Sequence, residues 1–479
     1  MIRFLHQGRT VELASPSPDD TVLDYLRDST RCTGTKEGCA SGDCGACTVV
    51  TAQLRDGELR YEPMNACIAP VGSLHGVQLI TVEELRHEEE LHPVQQAMVD
   101  AHGSQCGFCT PGFIMSLFAM FHADTGVDRH RVLEALGGNL CRCTGYRPII
   151  DAAMQVLAGP RDDQFSAARD EAVARLASLG QDDDASESGG TYHLPRSVDE
   201  LAALLAGQPD TRLVAGGTDL MLEVTQGLAS LETIADLRQI PELGELTVNE
   251  DCIEVGAAVT HRQAQPVLLH DYPELAELIE RFGALQIRSR GTVAGNVANA
   301  SPIGDWPPVL LALDGSVKLV SSEGERVLPL SEFFLDYRKT AMRKGEFIRS
   351  LLIPRRRSNL FLRAYKISKR FEDDISSVCL VAALGVEDGL ITEARVACGG
   401  MAAVPRRSEF CEKQLIGMAL ADGDITPAID ALCQDFQPIT DARATADYRA
   451  TVAGNLLRRL QLEYRGECAT RITMEAEHG

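Results

Sequence analysis

Gly38-Cys-Ala-Ser-Gly-Asp-Cys-Gly-Ala-Cys47 packs three cysteines, Cys39, Cys44 and Cys47, into nine residues, and Cys67 follows after nineteen intervening residues. Thiols this close converge on one point only if the loop folds back on itself. Gly38, Gly42 and Gly45 supply that freedom, having no Cβ to obstruct a bound centre or forbid a positive φ.

The spacing Cys-x4-Cys-x2-Cys with a distant fourth cysteine is that of plant-type 2Fe-2S sites, where four thiolates hold one cluster. Tetrahedral zinc favours paired Cys-x2-Cys knuckles instead of a four-then-two spacing. Loop N–H groups can also point at the sulfurs and raise the potential. Cys32 falls outside this pattern and reads as structural. A second constellation is Cys106-Gly-Phe-Cys109 with Cys141-Arg-Cys143. Taken alone it leaves zinc and a thioredoxin-like redox couple open. Beside a ferredoxin-type site and within a helical segment, it reads as a second cluster. Each ligand pair is then expected at a helix N-terminus, whose positive dipole end favours thiolate.

Composition sets the frame. The chain has 479 residues, 44% of them hydrophobic, too many for one compact core and enough for roughly three domains. Sixty-nine acidic residues against 46 basic ones give a formal charge of -23. Such a surface repels phosphate backbones and anionic lipid, which argues against a nucleic-acid or membrane partner. The N-terminal residues lack a secretory apolar stretch, and no uncharged apolar run is long enough to span a bilayer. A cytoplasmic location follows as an expectation. Nine of the fifteen cysteines lie in the first 143 residues. The other six (Cys252, Cys379, Cys398, Cys411, Cys433, Cys468) stand singly and read as small buried hydrophobes.

Along the chain, Ile2–Leu5, a turn at Gln7-Gly8 and Thr10–Leu13 predict a hairpin. Thr21 predicts the N-cap of a helix burying Val22, Leu23, Tyr25 and Leu26. Strands are expected at Cys47–Thr51 and, shorter, around Leu59. Helical periodicity without strands runs from Pro93 to about Leu157. After Thr191 helices alternate with short strands, such as Leu213–Ala215 and Ile253–Ala257, an α+β pattern. Later strands are expected at Val378–Leu384 and Ala394–Ala397. The divisions drawn are 1–85, 86–160, an acidic linker 161–190, then 191–362 and 363–479. Arg355-Arg-Arg357 and Glu88-Glu-Glu90 read as solvated charge runs.

The strings Gly34-Thr-Lys-Glu-Gly-Cys39, Gly42-Asp-Cys-Gly-Ala-Cys-Thr48, Gln105-Cys-Gly-Phe-Cys-Thr-Pro-Gly112 and Asn139-Leu-Cys-Arg-Cys-Thr-Gly-Tyr146 resemble the xanthine dehydrogenase/aldehyde oxidase family of molybdenum hydroxylases. The resemblance implies a multidomain α+β protein. Its expected parts are a β-grasp plant-type ferredoxin domain, a four-helix iron–sulfur domain, a two-part α+β FAD domain like that of vanillyl-alcohol oxidase, and a C-terminal α+β flavoprotein domain. It also implies that the helical-domain cluster lies nearest the molybdopterin, that the ferredoxin-like cluster lies between it and the flavin, and that Gln105 sits at the partner interface.

Leu213-Val-Ala-Gly-Gly-Thr-Asp-Leu220 is a strand running into a turn where adjacent glycines let backbone amides approach a diphosphate. Neither G-x-G-x-x-G nor a P-loop is present. Gly291-Thr-Val-Ala-Gly-Asn-Val-Ala-Asn-Ala-Ser-Pro-Ile-Gly-Asp305 is a second small-residue stretch. Both resemble the FAD domain of the same family. That implies cofactor contacts from Leu213, Val214, Ala215, Gly216, Gly217, Thr218, Asp219 and Leu220, and from Thr292, Val293, Ala294, Gly295 and Asn296. It assigns Asp305 to ribityl or ribose hydroxyls, Phe282 to ring stacking, Ile348 to the adenine pocket and Lys366 to the cofactor edge. Ala294 stands where many relatives have glycine. Lys369-Arg-Phe-Glu-Asp-Asp-Ile375 matches the loop that tunes reaction with NAD against oxygen, making Glu372, Asp373 and Asp374 candidates there. The Gly399-Gly-Met-Ala402 stretch fits the C-terminal flavoprotein domain.

The implied function is an electron relay from purine (hypoxanthine or xanthine) oxidation at a partner's molybdopterin, through two 2Fe-2S clusters, to FAD and NAD. No molybdopterin region follows the flavin half, which implies a separate large subunit in a heterotetramer or higher assembly. Two alternatives stand beside it: the same role for an aldehyde or N-heterocycle, and a zinc-stabilised binding module without redox chemistry.

Overall fold

The computed structural model describes residues 1–123, 126, 128–179 and 191–466. Contacts divide the chain into two compact units. One comprises Met1–Pro241, Thr260–Arg262 and Gly283–Thr292, and the other Glu242–Val259, Gln263–Phe282 and Val293–Gly479.

In the first unit the expected hairpin pairs Ile2–His6 with Arg9–Leu13 in antiparallel register, Ile2 opposite Leu13. It joins a five-stranded sheet in the order Arg9–Leu13, Ile2–His6, Gln78–Ile80, Thr48–Arg55 and Glu58–Asn65. The strand read as short around Leu59 runs eight residues, because each of its residues pairs with the Thr48–Arg55 strand. Thr21 caps its helix through a capping box with Asp24. Helices Pro93–Asp100, Thr110–Phe121, Arg129–Leu136 and Arg147–Leu157 follow. Thr110–Phe121 is buried from Gly112 onward, as expected of a central bundle helix with apolar residues on every face.

The acidic linker reading needs correction over its first part. Gln164–Ala167 and Arg169–Leu179 are helices, and Leu176 and Leu179 bury against Leu5. Residues 180–190 lie outside the described residues. A small parallel sheet, Tyr192–His193, Ile234–Asp236 and Arg212–Val214, shares a core with the ferredoxin-type sheet through Tyr192, Val214 and Ile234. Gly72 permits this, since a Cβ there would lie 2.3 Å from the Tyr192 ring.

The second unit holds a five-stranded antiparallel sheet in the order Gly324–Pro329, Ser316–Ser321, Phe347–Pro354, Cys252–Gly256 and Leu246–Val248. A four-stranded sheet follows, Leu360–Ile367, Val378–Glu387, Leu390–Gly399 and Arg406–Arg407. Residues of Glu409–Leu415, Thr426–Asp435 and Ala446–Arg465 share its core. The Arg355–Arg357 run is not a freely solvated face. Its members pair with Asp271, Glu274 and Glu393, partners too distant in sequence to be read from the run itself. The buried-hydrophobe reading holds for Cys379, Cys398 and Cys411. Cys252 is half-buried, Cys433 is exposed at a helix end, and Cys468 lies outside the described residues.

Candidate electron-transfer centres

The first cysteine loop closes as its glycines demand. Gly42 and Gly45 adopt φ of +82° and +67°. A Cβ on Gly38 would lie 2.8 Å from Cys44 Sγ, so that glycine leaves the sulfur its space. Cys47 and Cys67 are buried with sulfurs 3.2 Å apart, yet all four cysteines are free thiols. The backbone N–H groups of Ser41 and Cys44 each donate to Cys39 Sγ at 3.4 Å. Cys44 and then Cys67 hold the Cys39 thiol well below its ordinary range, while Cys39 pushes both of those thiols up. The sulfurs of Cys39, Cys44 and Cys67, crowded this way, compete for protons, and a cationic iron centre would remove the competition. The donor set fits a 2Fe-2S cluster.

The second set gathers at the ends of helices. Cys109 is the N-cap residue of Thr110–Phe121, with Cys106 exposed just before it. Cys109 is in contact with Cys141, and Cys143 with Cys106. Burial, then Cys141, pushes the Cys109 thiol up to about 12. Cys141 is drawn down despite burial because Thr144 hydrogen-bonds its sulfur through both Oγ1 and N. The Cys141 N–H donates to the Tyr146 hydroxyl at 2.9 Å, and Tyr146 caps Arg147–Leu157. Four convergent thiols fit a second cluster, and Gln105 is exposed beside them.

The two loops are tied directly. Leu140 N–H donates to the Cys44 carbonyl at 3.0 Å, and Asn139 Nδ2 to the Gly45 carbonyl at 3.1 Å. Gly112 allows the approach, since a Cβ there would lie 2.2 Å from that same carbonyl.

On the other side of the first loop lies the Gly216-Gly217 turn, at the end of Arg212–Val214. Gly217 has φ +78°, and a Cβ would meet Pro70 at 3.0 Å and the Ile68 carbonyl at 3.4 Å, both near Cys67. A Cβ on Gly216 would lie 2.2 Å from the Arg290 carbonyl, so the turn forms a backbone cradle that only glycine leaves open. Gln226 Nε2 donates to the carbonyls of Cys39 and Ala40 at 3.1 and 2.9 Å. Thr292 forms an isolated bridge with Thr260.

In the second unit, Val293–Ala298 is a short helix, and Asn296 Oδ1 is buried with no hydrogen-bond partner among the described residues, an acceptor available to a ligand. Lys366 Nζ pairs with Asp305 Oδ2 at 2.7 Å and contacts Ser376 Oγ at 3.0 Å, while Ser376 donates to Asp305 Oδ1 at 2.6 Å. The sequence reading aimed Asp305 and Lys366 separately at a cofactor, whereas the structure joins them into one buried pair. Phe282 meets Trp306 edge-on at 6.5 Å, and Ile348 is buried in its strand. The glycine cradle of one unit and the unsatisfied amide oxygen of the other each fit a flavin nucleotide.

Four domain families match the chain in order. They are the 2Fe-2S iron-sulfur cluster binding domain at residues 4–72, the 2Fe-2S binding domain at 81–154, the FAD binding domain in molybdopterin dehydrogenase at 185–356 and the CO dehydrogenase flavoprotein C-terminal domain at 363–464. This chain is an iron–sulfur and flavin chain of the molybdenum hydroxylase family. Among relatives of the family, xanthine dehydrogenase of Emericella nidulans is 31% identical over 91% of this chain and 36% of its own length. Xanthine dehydrogenase/oxidase of Rattus norvegicus is 31% identical over 83% and 34%. The chain thus spans about a third of the length of the curated relatives it matches. Among solved structures, reconstituted CO dehydrogenase from Oligotropha carboxidovorans has TM-score 0.53 and 28% identity, covering 57% of this chain and 96% of that one. Quinoline 2-oxidoreductase from Pseudomonas putida 86 has TM-score 0.53 and 25% identity, covering 57% and 95%.

For a molybdenum hydroxylase chain, the loop at 369–375 is held firmly. Arg281 stacks on Phe371, its guanidinium carbon 4.3 Å from the ring centroid, and donates to the carbonyls of Phe371 and Lys366, each at 3.0 Å. Asp374 pairs with Arg370, and Asp373 has φ +65°. Arg281 is not legible in the sequence because the loop residues it bonds lie 85–90 positions away. One cluster outside the cysteine sets invites a metal: His92, His122 and Asp163 lie close together and buried. Hydrogen bonding argues against it. Val94 N–H donates to His92 Nδ1 at 3.1 Å, so the ring proton sits on Nε2 and is given to Asp163 Oδ2 at 2.8 Å. Binding a metal there requires an imidazolate, so this trio reads as a clasp on the helix that Asp163 caps. Among the described residues no helix is long and apolar enough to cross a membrane.

Proposed function

We propose that this chain relays electrons from a molybdopterin-binding large subunit, through two 2Fe-2S clusters and FAD, to NAD, and that the reaction served is hypoxanthine and xanthine oxidation. Cys39, Cys44, Cys47 and Cys67 hold one cluster, and Cys106, Cys109, Cys141 and Cys143 the other. When bound, each cluster carries one electron at a time, and the flavin collects two for transfer as a hydride.

The observation that carries this reading is an order of contacts within the first unit. The Cys141 arm bonds the Cys44 loop through Leu140, and the Cys39 loop bonds the Gly216-Gly217 lobe through Gln226. This order of contacts supports a relay in which the ferredoxin-type ligands stand between the helical-domain ligands and the flavin turn. The flavin contacts expected of Asn296, Asp305, Lys366 and Ile348 belong to the same proposal, supported within the second unit by the buried acceptor on Asn296 and the buried Lys366–Asp305 pair. Purine oxidation is favoured because relatives named xanthine dehydrogenase match 83% or more of the chain. An aldehyde or N-heterocycle substrate is the second reading, favoured by the quinoline 2-oxidoreductase likeness. A cytoplasmic heterotetramer or larger assembly belongs to the same proposal.

The test begins with the absorption spectrum, iron, zinc and released flavin of the purified chain. About four irons and one FAD are expected; a colourless, zinc-loaded, flavin-free chain would overturn the relay. Co-purification with the large subunit, followed by assays with xanthine, hypoxanthine, aldehydes and quinoline, then separates the substrates.

A further inference from the structure

Gln286 carries no role in any reading above, yet its buried amide meets three buried polar side chains of the first unit. Its side chain is 1% exposed. Nε2 lies 3.1 Å from Ser116 Oγ, 3.2 Å from Thr48 Oγ1 and 3.2 Å from Asn139 Oδ1. Those three residues are themselves buried and mutually bonded. Ser116 Oγ donates to Asn139 Oδ1 at 2.6 Å, and Asn139 Nδ2 donates to Gly45 O at 3.1 Å and approaches Thr48 Oγ1 at 3.4 Å. Thr48 donates to Gly45 O through both N and Oγ1.

The polarity of this network is fixed from its edges. Gly45 O can only accept, so Thr48 and Asn139 Nδ2 are donors, and Asn139 Oδ1 must accept. The remaining acceptor capacity on Ser116, Thr48 and Asn139 faces Gln286 Nε2, whose two N–H donors are shared among the three acceptors. Gly138 is glycine for the same reason, since a Cβ there would lie 2.3 Å from Gln286 Oε1.

What the node joins is the point. Gly45 lies between Cys44 and Cys47, Thr48 follows Cys47, and Asn139 precedes Cys141 by two residues. Gln286 belongs to the segment Gly283–Thr292, which ends on the flavin-side turn. We propose that Gln286 is a positioning residue for both clusters at once, holding the Cys44–Cys47 loop and the Cys141 arm on one polar node so that their geometry and potentials are set together. The inference rests on the relay reading, because it presumes that both cysteine sets carry clusters.

The test uses the full chain, with iron and FAD counted, carrying Gln286→Met, which keeps shape and removes the donors. The expected result is normal iron content, shifted midpoint potentials for both clusters in an EPR-monitored redox titration, and an altered low-temperature magnetic splitting between them. Should Gln286→Met fail to fold, Ser116→Ala removes one contact and is expected to give a smaller shift of both clusters in the same direction. Wild-type potentials and splitting in the variant, or a shift confined to one cluster, overturn the proposal. A wild-type chain that binds no iron would instead sink the relay reading, so the two failures are distinguishable.

Discussion

Leu140 donates its backbone N–H to the carbonyl oxygen of Cys44 at 3.0 Å, so the residue before one proposed cluster ligand is bonded to the peptide of another. This is the shortest covalent-plus-hydrogen-bond bridge described between the two cysteine sets. Leu140 itself is 42% exposed, so its side chain is expendable. Leu140→Pro removes the donor, while Leu140→Ala keeps it. Both variants are expected to hold full iron, with intercluster electron exchange slowed several-fold in the proline variant alone. Freeze-quench EPR after rapid reduction measures it.

Gly45 is the point where one methyl group does most damage. Its φ is +67°, and an added Cβ would lie 2.1 Å from the Gly138 carbonyl, which is backbone and cannot swing away. Gly45→Ala is expected to lose the first cluster and keep the second, lowering iron from about four to about two per chain. Iron analysis with EPR of the surviving signal checks it.

These two positions mark what the sequence could disclose. The hairpin at residues 2–13 and the Thr21 cap are local patterns, and each stands in the structure as read; the cysteine spacing is equally local, and its loop turns on positive-φ Gly42 and Gly45. The helix Arg169–Leu179 was hidden because only Leu176 and Leu179 are buried, too few to raise a periodic signal above an acidic background. Asn139 stood within a quoted motif, but its partners Gly45 and Gln286 are 94 and 147 positions away. The Lys366–Asp305 pair was hidden likewise: both residues were picked out, and their mutual contact was not.

Acid should destabilise the first unit through two neutral histidines. Burial, the largest cause, lowers His75 to about 4 and His261 to about 3. Below the ordinary histidine value of about 6.5 the unfolded chain takes up protons that the folded chain refuses, so stability falls as pH drops from there toward about 4. At pH 5 the loss is on the order of 2 kcal/mol per histidine. His6, also lowered to about 4, is offset by its neighbour Glu84, which burial raises to about 7 and which therefore stabilises the fold as pH falls. Urea unfolding followed by circular dichroism at pH 7.5 and 5 should show the decline, and His75→Gln should flatten it.

The buried pair in the second unit should respond asymmetrically to mutation. Lys366 and Asp305 side chains are 2% and 3% exposed, so Lys366→Met strands a carboxylate with only Ser376 for company. Breaking such a pair costs about 3–5 kcal/mol, whereas replacing both charges costs far less. Lys366→Met is expected to lower the unfolding midpoint and shed flavin, and adding Asp305→Asn should recover part of the stability. Denaturation curves and released-flavin assays on the single and double variants close the cycle.

Arg281 makes the sharpest case for a loop held by one side chain. It bonds the carbonyls of Lys366 and Phe371 and the hydroxyl of Ser368, each at 3.0 Å, and is itself anchored to Glu277 at 2.9 Å. With the ring of Phe371 above it, the guanidinium fixes both ends of residues 366–371 in a planar fork that lysine cannot reproduce. Arg281→Lys is therefore expected to behave nearly as Arg281→Ala. Both should leave the sheet intact, since Leu360–Ile367 keeps its register against Val378–Glu387, and both should expose Lys369 and Arg370 to trypsin. Because the loop lies in the stretch proposed to govern the electron acceptor, the ratio of NAD to oxygen reduction should move with the cleavage rate. Faster cleavage with an unchanged ratio would separate the loop from acceptor choice, and unchanged cleavage would show that Arg370–Asp374 suffices to hold it.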